Sequence, residues 1–352
     1  MIRLAVDRRV LRQTAETLFV GAAGGTLVNR LGFPAGLISG SVLAAATVSL
    51  AGRPLGLPTG LTRVIFILSG IALGSAVSPE TLRSIAAYPF SVAILALSTL
   101  CMIATTWLYL RFVHRWDPLS ALLGASPGGL AQMMALSVET GADVRAIVVV
   151  QTVRVVVLTV GIPSGLALLG LAGMAARPIA VHTVSATGMA LLVAAAVTSA
   201  MVLQKLRFPG GLLFGAMLGS GLLHGEGIVQ GGLPWWAADT VMVALGTVNG
   251  SRFAGTNRQM LMGYVGAAFG SFAVSISITV CFALLAVSSL PVPPSDIVIA
   301  FSPGAQDTML LLALALHLDP VFVGAHHLAR FLTISLSVPF IARTLSASRR
   351  SV

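Results

Sequence analysis

Ser126-Pro127-Gly128-Gly129, followed by Met133, Asp143 and Arg154, returns as Ser302-Pro303-Gly304-Ala305, followed by Met309, Asp319 and Arg330. Each pair is 176 residues apart, half of the 352-residue chain. Pro163/Pro339, Gly70/Gly246 and Gly74/Gly250 keep the same offset. Phe33-Pro34-Ala35-Gly36 matches Phe208-Pro209-Gly210-Gly211 at an offset of 175, so one inserted residue separates the two sets. The chain therefore reads as two like halves, 1–175 and 183–352, joined by the hinge from Gly173 to His182. Self-similarity at a fixed long period is the sequence mark of a repeated architecture.

The halves are strongly apolar. Charged residues make up 9% of the chain, hydrophobic residues 56%, and the mean hydropathy is +0.96. Soluble domains carry roughly a quarter charged residues. Ten apolar stretches (14–29, 35–51, 61–79, 84–110, 146–176, 183–204, 209–223, 235–250, 261–290 and 321–342) read as bilayer crossings. Two more, 119–139 and 296–316, each contain a Ser-Pro-Gly run. The expected fold class is an all-α polytopic integral membrane protein. It has two tandem repeats, ten to twelve transmembrane segments, and helices broken at the Ser-Pro-Gly motifs.

A net charge of +10 resembles a nucleic-acid footprint, but its placement argues otherwise. Arg3, Arg8, Arg9 and Arg12 precede the first span, and Arg349 and Arg350 follow the last. Single arginines occupy short loops. This is the positive-inside bias of a membrane protein, with no direct nucleic-acid contact. If the Ser-Pro-Gly segments do not complete a crossing, the N-terminus, Arg53/Arg63, Arg111/Arg115, Lys205/Arg207, Arg252/Arg258 and Arg343/Arg349/Arg350 share one side. Arg30, Arg83 and Arg177 then take the other. That parity makes the repeats inverted, with both termini cytoplasmic. Cys101 and Cys281 lie in apolar spans and are expected to be packing residues without a disulfide. The Gly-x-x-x-Gly pairs Gly36/Gly40, Gly70/Gly74, Gly211/Gly215 and Gly246/Gly250 are expected to be close helix contacts.

Proline removes a backbone donor and glycine permits unusual dihedrals, so Ser-Pro-Gly breaks a helix or starts one. Ser126 and Ser302 are N-cap residue types, and proline suits the first helical position. Each motif is therefore expected to open a half-helix whose N–H groups form an anion site. A kink or a surface loop is the plain alternative. Arg154 and Arg330 sit deep in apolar runs, where an isolated charge costs roughly 3 kcal/mol or more. Gln151 and His327 each lie three residues before an arginine, on its helix face, and His326 shares that region. The arginines read either as solute-binding groups facing the Ser-Pro-Gly helices or as members of ion pairs with Asp143 and Asp319. Asp307 has no acidic counterpart, since Ala131 occupies that place in the first half. It reads as a helix-start residue or as a proton-coupling carboxylate. Asp239, Asn249, Gln132 and Gln306 are secondary candidates.

At these residues the chain resembles the membrane AbrB-like family. The resemblance rests on the paired Ser-Pro-Gly segments, the His326-His327-x-x-Arg330 run and the duplication. Family members carry labels such as ammonia monooxygenase and AbrB family transcriptional regulator. The layout is similar to cation/proton antiporter and anion transporter folds with inverted repeats and broken helices. Val150-Gln151 stands where the second half has His326-His327, so one asymmetric site is expected.

The functional expectation is a proton- or ion-coupled secondary transporter of a small anionic solute, in the bacterial cytoplasmic (inner) membrane. Ser126, Pro127, Gly128, Gly129, Arg154, Ser302, Pro303, Gly304 and Arg330 bind the solute, and Asp307, His326 and His327 couple it. The partners are the lipid bilayer and the small-molecule solute, with a homo-oligomer left open. No catalytic residue, metal ligand or cofactor is expected. A membrane-embedded protein that regulates gene expression indirectly is the alternative, and a metal monooxygenase a distant third. The six histidines contain no His-x-x-x-His and no Glu-x-x-His.

Overall fold

Glycine, proline and capping residues cut the apolar sequence into helices. The computed structural model describes residues 8–78, 88–127, 130–171, 184–208, 210–254 and 258–350. Their regular elements are helical: α1 (Arg8–Arg30), α2 (Gly36–Leu50), α3 (Thr59–Gly74), α4 (Tyr88–Leu108), α5 (Pro118–Ala125), α6 (Leu130–Thr140) and α7 (Val144–Leu168) in the first half. The second half gives α8 (Ala186–Lys205), α9 (Gly211–Gly225), α10 (Trp235–Gly250), α11 (Arg258–Ser289), α12 (Pro294–Phe301), α13 (Gln306–Ala315) and α14 (Pro320–Arg350). A π-helical turn, Tyr109–Val113, extends α4.

Among the described residues, five segments are long and apolar enough to cross a membrane: Tyr88–Val113, Val144–Leu168, Ala186–Lys205, Gln259–Ser289 and Pro320–Ala342. Five of the ten expected stretches are not among them: α1 carries Arg8, Arg9, Arg12 and Glu16 in its first half, α10 has 16 residues, and Gly36–Leu50, Thr59–Gly74 and Gly211–Gly225 are shorter apolar helices. At 1.5 Å per residue they span about 23 Å, less than a hydrocarbon core of about 30 Å. Leu168, Leu336, Phe19 and Phe340 are each more than 70% exposed, an apolar surface that lipid would cover.

The chain folds into two compact units. One comprises Met1–Arg83, Pro163–Asn257 and Leu314–Val321; the other comprises Ser84–Ile162, Arg258–Ala313 and Phe322–Val352. The boundaries do not follow the halves. The first unit takes α1–α3 and α8–α10, three helices from each half, and the second takes most of the remainder.

Within the first unit, close glycine contacts set the helix directions. A Cβ on Gly24 would strike Ala44 and Gly40, and one on Gly36 would strike Asn29, so α1 and α2 run antiparallel. Gly215 against Ser199 and Ala200, with Gly219 against Ala195, makes α8 and α9 antiparallel too. Gly70 meets Leu213 and Ala216 of α9, and Gly74 meets Met217 and Ser220. Gly246 meets Ile38 and Ser41 of α2, and Gly250 meets Val42 and Ala45. In both pairs the contacts advance in the same direction, so α3 runs parallel to α9, and α10 parallel to α2. Small residues do this work because they let helix backbones approach closely. Ser220 adds a hydrogen bond to the Ile71 carbonyl at 2.9 Å.

In the second unit, Met102, Leu122, Leu123, Met133, Ile147, Ile334 and Val338 belong to one buried apolar cluster. Both cysteines are free. Cys101 is partly buried, whereas Cys281 is exposed on α11 and does not have the packing role expected of it.

Candidate functional site

Two short helices lead into the Ser-Pro motifs of the second unit. Asp117 caps α5, accepting from the backbone N–H groups of Leu119 and Ser120 at 3.1 Å, with Pro118 in the first helical position. Eight residues later the helix stops. Proline disfavours α geometry in the residue before it, and Ser126 is accordingly extended at φ −74°, ψ 117°. Ser302, before Pro303, ends α12 in the same way at φ −64°, ψ 133°.

The serines therefore do not act as the N-caps expected of them. Each is the C-cap residue of the helix before it. The Ser126 hydroxyl donates to the Leu122 carbonyl at 2.8 Å, and the Ser302 hydroxyl to the Val298 carbonyl at 2.6 Å. The next helices begin only at Leu130 and Gln306. Gly128 and Gly129 lie outside the described residues. Gly304 donates to the Ser302 carbonyl at 2.9 Å, and a Cβ there would collide with Met309.

Arg154 and Arg330 are each the eleventh residue of a candidate spanning helix, α7 and α14. They are 2% and 3% exposed. Arg330 reaches the exposed carbonyls at the end of α12. Its terminal nitrogens donate to Ser302, to Ala300 at 3.1 Å and to Phe301 at 2.7 Å. Arg154 donates to the Gly124 carbonyl at the end of α5 at 3.0 Å. Gln151 donates to Leu123 O at 3.1 Å, and His327 Nε2 to Ile299 O at 3.2 Å. Donors and acceptors in the two sets match at the offset of 176. A cation placed on helix-terminal carbonyls meets the negative end of the helix dipole.

Neither guanidinium has a carboxylate within ion-pair distance among the described residues. Asp143 instead caps α7, accepting from Arg145 N–H at 3.0 Å and Ala146 N–H at 3.1 Å, and its other oxygen accepts from Tyr264 at 2.8 Å. Asp319 accepts from Val321 N–H at 2.9 Å. Among the described residues, the Nε atoms of Arg154 and Arg330 are buried without a hydrogen-bond partner. A buried donor left unsatisfied costs free energy and calls for an explanation.

Asp307 lies in the first turn of α13, 6% exposed, and one of its oxygens accepts from Thr308 N–H at 2.9 Å. His326 is fully buried. Its Nδ1 donates to the Phe322 carbonyl at 2.7 Å, and its Nε2 lies 2.9 Å from Ser91 Oγ. The Phe322 ring sits 4.0 Å away, centroid to centroid, with Tyr88 and Phe301 at 6.0 Å. Gln132 accepts from Ser335 at 3.1 Å. Sequence reasoning missed Ser91 and Tyr88, which are far from His326 in the chain, and missed the carbonyl acceptors, because backbone carries no residue signature. No group of three or more His, Cys, Asp or Glu side chains converges among the described residues.

A sequence profile of the family described as "Transition state regulatory protein AbrB" matches residues 37–346. The chain is also similar to "Uncharacterized protein YhjN" of Bacillus subtilis (strain 168), at 28% identity covering 91% of this chain and 90% of that protein. It is 27% identical to "Putative regulator AbrB" of Escherichia coli (strain K12), covering 90% of this chain and 92% of that protein.

Proposed function

The chain belongs to the AbrB family, and from that premise we propose that it is a secondary transporter of a small anionic solute, working by alternating access with a coupled proton. The carrying observation is the pair of mid-span guanidinium groups, each at a helix break and, among the described residues, each without a carboxylate and each with a buried unpartnered Nε–H. Unsatisfied positive donors at that depth need an anion or a watery cavity. Carbonyls hold the terminal nitrogens of Arg330 and leave its Nε–H for a ligand.

The helix directions in the first unit support inverted repeats. A cavity in the first unit is lined by the N-terminal ends of α2 and α10 and by the C-terminal end of α3. So α3 runs against α2 and α10. Because α9 runs parallel to α3, α2 and its counterpart α9 point in opposite directions. Such repeats, with short helices interrupted near mid-membrane, are a common transporter plan. On this reading the shorter apolar helices also cross, giving ten to twelve segments in the bacterial cytoplasmic membrane with both termini cytoplasmic.

Ser126, Pro127, Gly128, Gly129, Ser302, Pro303 and Gly304 bind the solute, and Arg154 and Arg330 supply its counter-charge. The N-terminus of α13, with its positive dipole end, faces the same purpose. Asp307 opens that helix, so its carboxylate and the solute compete for one helix start. Protonating Asp307 removes the competing charge, and proton and anion enter together. His326 and His327 extend the proton route. The chain acts on no bond of the solute, and its partners are lipid and solute.

The test uses the purified chain in proteoliposomes, with jumps of acetate, lactate, succinate and inorganic phosphate and an internal pH dye. At least one anion should enter with acidification of the lumen, and Arg154→Gln should abolish its entry. Failure of all four would count against the reading. A second reading, a membrane-embedded regulator without flux, is favoured by the family description and by the name "Putative regulator AbrB". It would be preferred if well-folded protein moved no solute.

A further inference from the structure

The first unit holds a cavity of about 320 Å³ that the arginine site does not use. All its walls belong to that unit, since the segment Leu314–Val321 that contributes His317 is part of it. The walls come from one end of the bundle: Asn29 closing α1, Leu37 opening α2, Ser75 after α3 and Asp239 in the second turn of α10. Asp239 has no hydrogen-bond or ion-pair partner among the described residues. Ser75 spends its proton on the Ala72 carbonyl at 2.7 Å and so turns only lone pairs outward. Leu233 and Met242 make apolar wall.

The backbone at two wall positions is costly. Ala35 and His317 are non-glycine residues at φ 52° and 59°. Their counterparts in the other half, at offsets of 175 and 176, are Gly210 at φ 62° and Gly141 at φ 70°. Side chains thus occupy left-handed positions that glycine fills elsewhere in the chain, at about 1 kcal/mol or more each. Both lie on this one cavity. The Gly231 end of its loop wall is also fixed, with His224 Nε2 2.7 Å from the Gly231 carbonyl oxygen.

We propose that this cavity is a binding site for a small organic ammonium ion, with Asp239 as its counter-charge. The volume is in the range of small-molecule sites. A bare divalent cation demands six or more oxygens, whereas this wall offers one carboxylate, an amide, a hydroxyl and the His317 imidazole beside apolar surface. An alkylammonium suits that set, its N–H groups on Asp239, Asn29 and Ser75 and its chain on Met242 and Leu233. This site is independent of the transport reading.

The probe is n-butylammonium, with butyrate as the control of opposite charge, added to the full chain in detergent. Carbodiimide labelling of Asp239, read by mass spectrometry, should fall roughly tenfold at ten times the Kd, where about nine sites in ten are filled. Butyrate should give no protection. The thermal midpoint should rise with the amine, and Asp239→Asn should lose the rise. Met242→Trp, which fills the cavity and keeps the carboxylate, should lose it as well. Equal labelling of Asp239 with and without amine overturns the proposal, whatever the variants do. So does a midpoint rise that survives both substitutions.

Discussion

The guanidinium of Arg330 donates to the main-chain carbonyl of Ser302, 28 residues before it. The same side chain also holds the carbonyls of Ala300 and Phe301, so one buried cation closes the end of α12. Arg154 makes the matching contact to Gly124 with a single hydrogen bond. The two arginines therefore differ in what they support. Lysine keeps the charge and loses the planar fork. Arg330→Lys should lower stability by about 2–3 kcal/mol and Arg154→Lys by about 1 kcal/mol, at roughly 1 kcal/mol per hydrogen bond. Denaturant unfolding in detergent micelles measures both. Equal losses would mean that the three carbonyl contacts of Arg330 carry no weight.

His327 and Gln151 make one kind of contact with two kinds of side chain, each reaching a carbonyl two residues before the end of its helix. His327→Gln should accordingly be tolerated to within about 0.5 kcal/mol, since an amide N–H can replace the imidazole N–H. His327→Leu should cost about 1 kcal/mol by removing the donor. If glutamine is as harmful as leucine, the imidazole does something that a donor alone does not, and the coupling role gains weight.

Gly70 and Gly246 occupy equivalent places in two parallel helix contacts. A Cβ on either would meet backbone, of Leu213 in one case and of Ile38 in the other. Backbone cannot move aside as a flexible side chain does. Gly70→Ala and Gly246→Ala should each destabilise by about 1–3 kcal/mol, the usual cost of overpacking. Gly263→Ala is the control, because nothing lies within 4 Å of that Cβ position. Thermal unfolding of the three proteins should rank the control nearest to the parent.

The helical class and the close glycine pairs were legible in the sequence, because each follows from local residue types. The direction of action at Ser-Pro-Gly was not. Serine and proline can open a helix or end one, and two rules compete at the motif. The restriction that Pro127 and Pro303 place on the residue before them prevailed, and the serine hydroxyls turned back to carbonyls of the preceding helices. The arginine partners were hidden for another reason. Carbonyl groups belong to every residue, so no composition signals that Ala300, Phe301 and Ser302 gather at Arg330. The contact between His326 and Ser91 joins positions 235 residues apart, beyond the reach of any spacing rule. The grouping of α1–α3 with α8–α10 likewise depends on helix pairing across the halves.

On the transport reading, Asp307 separates binding from coupling. It stands in the first turn of α13, while the equivalent place in the first half is Ala131. A carboxylate there satisfies the positive helix end by itself and opposes an incoming anion. Asparagine at the same place is neutral at every pH. Asp307→Asn should therefore bind the anion without needing a proton. In proteoliposomes, accumulation of the solute down an imposed proton gradient should disappear. Exchange of labelled for unlabelled solute across the same membrane should persist, because exchange needs only binding and reorientation. Loss of both activities in a folded variant would make Asp307 part of the anion seat itself. Retention of gradient-driven accumulation would move the coupling proton elsewhere, with His326 the next group to replace.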